Sequence, residues 1–280
     1  MTLETISTAK AHGGVQGVYR HASAETKTPM TFAVFVPPHA QGAKLPVLWY
    51  LSGLTCTHAN CMDKGEYRRL AAELGLIVVL PDTSPRGETV PDEKDNWQFG
   101  SGAGFYVDAT QAPYAENYRM YSYVTKELPA VIAANFPADM SRQGITGHSM
   151  GGHGALMIAL KNPDTFKSAS AFAPIVKPSV ADWSKPALEK YLGADETAWR
   201  AYDTVLLIED GKRFPELLVD QGEADSFLTT GLMPELLVDA AAKAGQKVVL
   251  NLREGYDHSY NFISTFMDDH LRWHAARLKA

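Results

Sequence analysis

The pentapeptide Gly147-His148-Ser149-Met150-Gly151 constrains the fold of this chain more than any other stretch, because it matches the G-x-S-x-G pattern of a sharp strand-to-helix turn. Gly144-Ile145-Thr146 ahead of it suits a strand, and the small residues Gly152, Gly154, Ala155 and Ala159 behind it suit a helix packed close to a sheet. In such a turn the serine backbone is strained. Glycines flank it because a Cβ there would meet the neighbouring strand or the first helical turn. The turn lifts the Ser149 hydroxyl clear of the sheet and sets it at a helix N-terminus, where unpaired N–H groups and the positive end of the dipole can hold a developing oxyanion. The feature therefore points to an α/β architecture and to acyl transfer through Ser149.

The rest of the sequence alternates accordingly. Runs 30–36 (MTFAVFV) and 46–51 (PVLWYL) read as an early antiparallel pair leading into a central strand. A helix is predicted over about 63–74 with Gly75 as its C-cap, followed by a buried strand at 76–80 (LIVVL). Helices over 118–135, 151–161, 233–244 and 260–278 then separate strands at 143–146, 168–172, 216–220 and 248–252. This pattern predicts a mostly parallel central sheet with helices on both faces, in a single domain spanning 1–280. Two long segments near 81–112 and 174–211, rich in Gly, Pro and aromatic residues, interrupt it. Segments of that size shape a site, form a dimer surface or pack irregularly.

Charge and cysteine usage narrow the partners. A net charge of -6 with no run of Lys or Arg argues against nucleic acid and leaves a small molecule as the expected partner. Residues 1–14 carry no basic stretch followed by an apolar core, and nowhere do eighteen apolar residues run together. A soluble, cytoplasmic protein with no membrane partner is expected. Cys56 and Cys61 are the only cysteines, too close in sequence for a useful bridge and too isolated for a zinc site. Neither a disulfide, a metal nor a cofactor is expected.

A serine hydroxyl needs a histidine base, itself oriented by a carboxylate. Of the histidines well beyond the turn, His270 and His274 fall on the closing helix and read as surface or satisfied core residues, whereas His258 lies in a loop directly after a strand. His258 is therefore the expected base. For the acid, Asp220, Glu223, Asp225 and Asp257 compete. Asp257 adjoins His258 and would have to fold back, and Asp220 belongs to the strand itself. Asp225, in a turn just past that strand, is preferred, with Glu223 next. The oxyanion donors are expected to be the backbone N–H groups of Met150 and of Leu54, the latter in the loop Leu51-Ser52-Gly53-Leu54-Thr55-Cys56-Thr57. Cys56 then lies near the site, either as a small buried apolar group or as a reactive thiol.

Several longer stretches are more specific than the pentapeptide. They include that loop, Pro81-Asp82-Thr83-Ser84-Pro85-Arg86-Gly87, Gly102-Ala103-Gly104-Phe105-Tyr106-Val107-Asp108-Ala109-Thr110, Asn117-Tyr118-Arg119-Met120-Tyr121-Ser122-Tyr123-Val124 and Glu254-Gly255-Tyr256-Asp257-His258-Ser259-Tyr260. On these the chain resembles, over essentially its whole length, the S-formylglutathione hydrolase (esterase D) family of the α/β-hydrolase superfamily. The resemblance implies an α/β-hydrolase fold and the triad Ser149, Asp225 and His258, the acid standing in Asp220-Gln221-Gly222-Glu223-Ala224-Asp225, which follows the family's D-Q-G-x-x-D. It further implies hydrolysis of S-formylglutathione to glutathione and formate in formaldehyde detoxification, by a metal-independent, cytosolic homodimer sensitive to thiol reagents. A formyl pocket would be narrowed by aromatics such as Trp97, Phe105, Tyr106 or Trp183, and a cation for glutathione would come from Arg86, Lys64 or Arg119. A broad carboxylesterase or acyltransferase would use the same residues on other esters, and a noncatalytic binding protein would be expected to lack part of the triad.

Overall fold

Nine strands carry the computed structural model, which describes residues 2–279. They are β1 (Glu4–Ala11), β2 (Gly14–Ala22), β3 (Pro29–Val36), β4 (Leu45–Leu51), β5 (Ile77–Pro81), β6 (Ala138–Gly147), β7 (Phe166–Phe172), β8 (Leu217–Gly222) and β9 (Val248–Arg253). All join one sheet in the order β1-β2-β3-β5-β4-β6-β7-β8-β9. The first three strands and the β3–β5 pair run antiparallel, and the stretch from β5 to β9 is parallel throughout. The helices are α1 (His58–Lys64), α2 (Arg68–Leu74), α3 (Met120–Ser122), α4 (Leu128–Asn135), α5 (Met150–Lys161), α6 (Lys185–Leu192), α7 (Glu196–Trp199), α8 (Thr204–Glu209), α9 (Pro234–Ala244) and α10 (Tyr260–Leu278).

Strand β7 shows how the two faces are covered. Successive side chains of a strand point to opposite faces. Ser170 meets His270 and His274 of α10, while its neighbour Ala171 lies against Gly152 of α5, 3.3 Å from where a Cβ on that glycine would sit. Helices α5 and α10 therefore sandwich the sheet, as the fold class requires. The parallel strands β4 and β5 are buried on both faces, which is why LPVLWYL and IVVLP read as near-continuous apolar runs rather than alternating ones.

The structure departs from the sequence reading in several places. The runs around 30–36 and 46–51 do not pair with each other, because β5 is inserted between them. Strands β1 and β2 were not anticipated: β1 (ETISTAKA) is exposed along nearly its whole length and carries no apolar pattern. It is held instead by a two-residue hairpin in which His12 and Gly13 both take positive φ, 46° and 77°, the geometry that matches strand twist. The helix predicted over 63–74 is two helices, broken after Gly65 where Glu66 adopts φ 53°. The helix predicted over 118–135 starts at Met120 and passes through a π-turn, Tyr123–Glu127. The segment near 174–211 is not simply a loop, since α6, α7 and α8 lie within it, whereas 82–113 does run without helix or strand.

Candidate active site

Ser149 stands between β6 and α5 with φ 57° and ψ -118°, a conformation that costs a non-glycine residue on the order of 1–3 kcal/mol. The surroundings hold it there. His148 N–H donates to Leu51 O at 3.0 Å and Ser149 N–H to Phe172 O at 2.9 Å, so the turn is tied to the strand on either side. A Cβ on Gly151 would come within 1.9 Å of Leu51 O, and one on Gly147 within 2.3 Å of Gly151 O. No side chain fits at either position, which is the physical content of the two glycines in the motif.

The carboxyl ends of β4, β6, β8 and β9 converge on a cavity of about 320 Å³ lined in part by Ser149, His258, Leu54, Cys56, Trp97 and Trp183. His258 enters from the loop after β9. Its Nδ1 lies 2.5 Å from Asp225 Oδ2, and the Asp225 side chain is fully buried behind it. Asp225 is itself positioned, accepting from Phe227 N–H at 2.8 Å and from Gln221 Nε2 at 3.3 Å. With Nδ1 engaged by the carboxylate, Nε2 is the ring atom left to exchange a proton with a hydroxyl.

The competing carboxylates are occupied elsewhere. Asp257 accepts from the N–H and Oγ of Ser259, the residue that caps α10; Asp220 is bound by Arg253 and Asn251, and Glu223 is exposed. The two other histidines after the turn, His270 and His274, are buried against β6 and β7 in contact with Ser170.

Leu54 follows β4 and faces the cavity, and its N–H meets no backbone acceptor among the described residues. Met150 is the first residue of α5, so its N–H precedes the first i→i−4 hydrogen bond; its side chain is buried in the core. The Leu54 loop is bolted from beneath. Thr55, at φ 67°, donates its N–H to Gly102 O at 2.9 Å, and Cys56 O accepts from Arg86 Nη2 at 3.0 Å and from the Thr83 hydroxyl. Arg86 is gripped in turn by Asp82 through Nε and Nη2. It therefore braces the loop rather than reaching for a ligand. Arg119 is paired with Glu25 and Asp108.

Cys56 lines the cavity, and burial pushes its thiol up from the ordinary value, so it sits as a neutral thiol. Cys61 is fully buried, and both cysteines are free. Among the described residues no group of three His, Cys, Asp or Glu side chains could hold a metal ion.

Of the four aromatics named from sequence, Trp97 and Trp183 line the cavity, but Phe105 and Tyr106 do not. Those two are buried in the core at positive φ, with Tyr106 Oη donating to Ser52 O and Phe105 O accepting from His153 Nε2. Sequence reading also missed Phe227, whose ring is 5.2 Å from that of His258, along with Asn60, Tyr260 and His148. The His148 ring lies 4.4 Å from His258, neither of its nitrogens meets a partner among the described residues, and burial holds it well below the ordinary imidazole value, hence neutral. Its place as the variable residue of the pentapeptide was the signal available.

Comparison with known proteins gives a consistent picture. The profile of the putative esterase family matches residues 23–273. An S-formylglutathione hydrolase of Paracoccus denitrificans is 54% identical over 281 residues, covering 99% of this chain and 100% of that protein. One from Mus musculus is 52% identical over 283 residues, covering both chains fully. A solved S-formylglutathione hydrolase from Agrobacterium tumefaciens superposes with a TM-score of 0.97 at 66% identity, covering 98% of this chain and 99% of that one.

Proposed function

Since the chain belongs to the esterase family, and within it to the S-formylglutathione hydrolases, we propose that this serine hydrolase cleaves S-formylglutathione to glutathione and formate. The observation that carries the chemistry is His258, joined to buried Asp225 at 2.5 Å and sharing a cavity with the strained Ser149. The substrate rests on relatives that carry that name at 52–66% identity over nearly the full length.

In this reading His258 Nε2 accepts the Ser149 proton as Oγ attacks the formyl carbon. Asp225 keeps the ring in the required tautomer and stabilises the imidazolium. The carbonyl oxygen, now an anion, is held by the N–H groups of Leu54 and Met150. The carbon–sulfur bond breaks, glutathione takes the proton from His258 as it leaves as thiol, and Ser149 remains formylated. Water, deprotonated by the same ring, then releases formate. Trp97 and Trp183, on the cavity wall, would narrow the acyl pocket and favour the smallest acyl group.

The same reading makes the chain a single α/β-hydrolase domain acting as a cytoplasmic homodimer in formaldehyde removal; that no described helix is long and apolar enough to cross a membrane is compatible with it. The deciding measurement is kcat/KM on S-formylglutathione beside S-acetylglutathione and p-nitrophenyl acetate. A large preference for the formyl thioester is expected, and equal or greater activity on the acetyl compounds would recast the protein as a broad esterase.

A further inference from the structure

A thioester of glutathione brings two carboxylates and one ammonium to a cavity whose wall carries no Lys, Arg, Asp or Glu side chain. The charges are not equivalent. At the γ-glutamyl end carboxylate and ammonium sit on one carbon and nearly cancel, so the glycine carboxylate is the uncompensated charge, and it needs a cation beside the cavity.

Three cations were open on sequence grounds, and the structure separates them. Arg86 is committed to Asp82 and the Cys56 carbonyl, and Arg119 to Glu25 and Asp108. Lys64 is exposed and forms no ion pair among the described residues. It stands in the last turn of α1, four residues after Asn60, which lines the cavity. Residues at i and i+4 share a helix face, so Lys64 stands on the face of α1 that carries Asn60. Its charge acts on the Cys56 thiol, another part of the cavity wall.

We infer that Lys64 is a substrate-binding residue that takes the glycine carboxylate of the glutathione moiety, an inference that rests on the S-formylglutathione reading above. Because Lys64 is remote from the reacting bond, it acts equally on ground and transition states, and its loss falls on KM rather than kcat.

The test compares wild type with Lys64→Met and Lys64→Glu on three substrates: S-formylglutathione, its glycine carboxamide analogue, and p-nitrophenyl acetate. On S-formylglutathione, Lys64→Met is expected to raise KM about fivefold and Lys64→Glu about tenfold or more, as for an exposed ion pair lost or reversed. Both variants should match wild type on the uncharged carboxamide and the acetate, and added salt should raise the wild-type KM only for the free carboxylate. An effect of equal size on all three substrates would make Lys64 a support for α1 and overturn the inference, as would no effect on any. Failure of wild type itself to prefer S-formylglutathione would overturn the functional reading instead.

Discussion

Serine, histidine and aspartate meet twice in this molecule, with opposite outcomes. At the carboxyl edge of the sheet, Ser149 and His258 line a cavity with Asp225 buried behind the histidine, Ser149 at positive φ and His258 partly open to solvent. Between the sheet and α10, Asp220, His270, Ser170, His274 and Ser168 form a second chain. There Ser170 Oγ donates to Thr146 Oγ1 at 2.8 Å while the rings of His270 and His274 lie at 2.9 and 2.8 Å, and Asp220 is bound by Arg253 and Asn251. Ser168, Ser170, Asp220, His270 and His274 are all buried, on strands or on α10. The difference is not in the residue types. A hydroxyl on a strand, surrounded by partners, is a packing element; one on a strained turn at a helix N-terminus, beside a cavity, is free to attack.

That contrast can be broken experimentally, most sharply at the two serines. Ser149→Ala is expected to lower kcat by about 10⁶-fold, the scale found when a serine nucleophile is removed, whereas Ser170→Ala should leave kcat within about twofold once folded. Steady-state rates on p-nitrophenyl acetate decide this, and comparable losses at both positions would erase the distinction.

The two aspartates come next. Asp225→Asn should cost about 10⁴ in kcat by favouring the wrong His258 tautomer. Asp220→Asn should leave kcat nearly intact and instead destabilise the fold by about 3 kcal/mol, because Arg253 loses its buried partner. Urea unfolding measured alongside turnover separates the effects, and wild-type turnover in Asp225→Asn would remove it as the acid.

The smallest effect expected concerns the buried histidines common to both regions. His148, His153, His270 and His274 are all held below the ordinary imidazole value, by burial first of all, and His153 is lowered to about 4. In the unfolded chain they take up protons near 6.5, so below that pH the unfolded state binds more protons and stability falls as pH falls. For His153 the loss develops between 6.5 and about 4, which at about 1.36 kcal/mol per unit amounts to roughly 3 kcal/mol. Chemical denaturation across that range should show a shallower slope in His153→Gln than in wild type; an unchanged slope would mean that His153 does not drive it.

Much of the edge of the sheet was legible in the sequence. The pentapeptide, the loop after β4 and the loop after β9 carry local signals, and each had to lie at a strand's carboxyl end once the alternation was read. The second chain was not legible, since nothing in the spacing of Ser168, Ser170, His270 and His274 says that α10 lies over β7. Phe105 and Tyr106 were misplaced for a related reason: aromatic composition marks a residue worth burying without saying whether it is buried in a wall or in the core.

What the sequence determined by itself was local: where the parallel strands β4 to β9 fall, that Gly147 and Gly151 flank Ser149 where a Cβ would not fit, and that His258 and Asp225 follow it on separate loops. What only the tertiary structure decided was non-local: that β5 inserts between β3 and β4, that an exposed β1 joins the sheet by its hairpin, that Arg86 braces a loop while Lys64 forms no ion pair among the described residues, and that Phe227 and His148 pack beside His258. The reason is physical. Turn strain, capping and periodicity act over a few residues and are written in neighbouring side chains, whereas strand order and side-chain pairing are set by how distant segments bury their surfaces together.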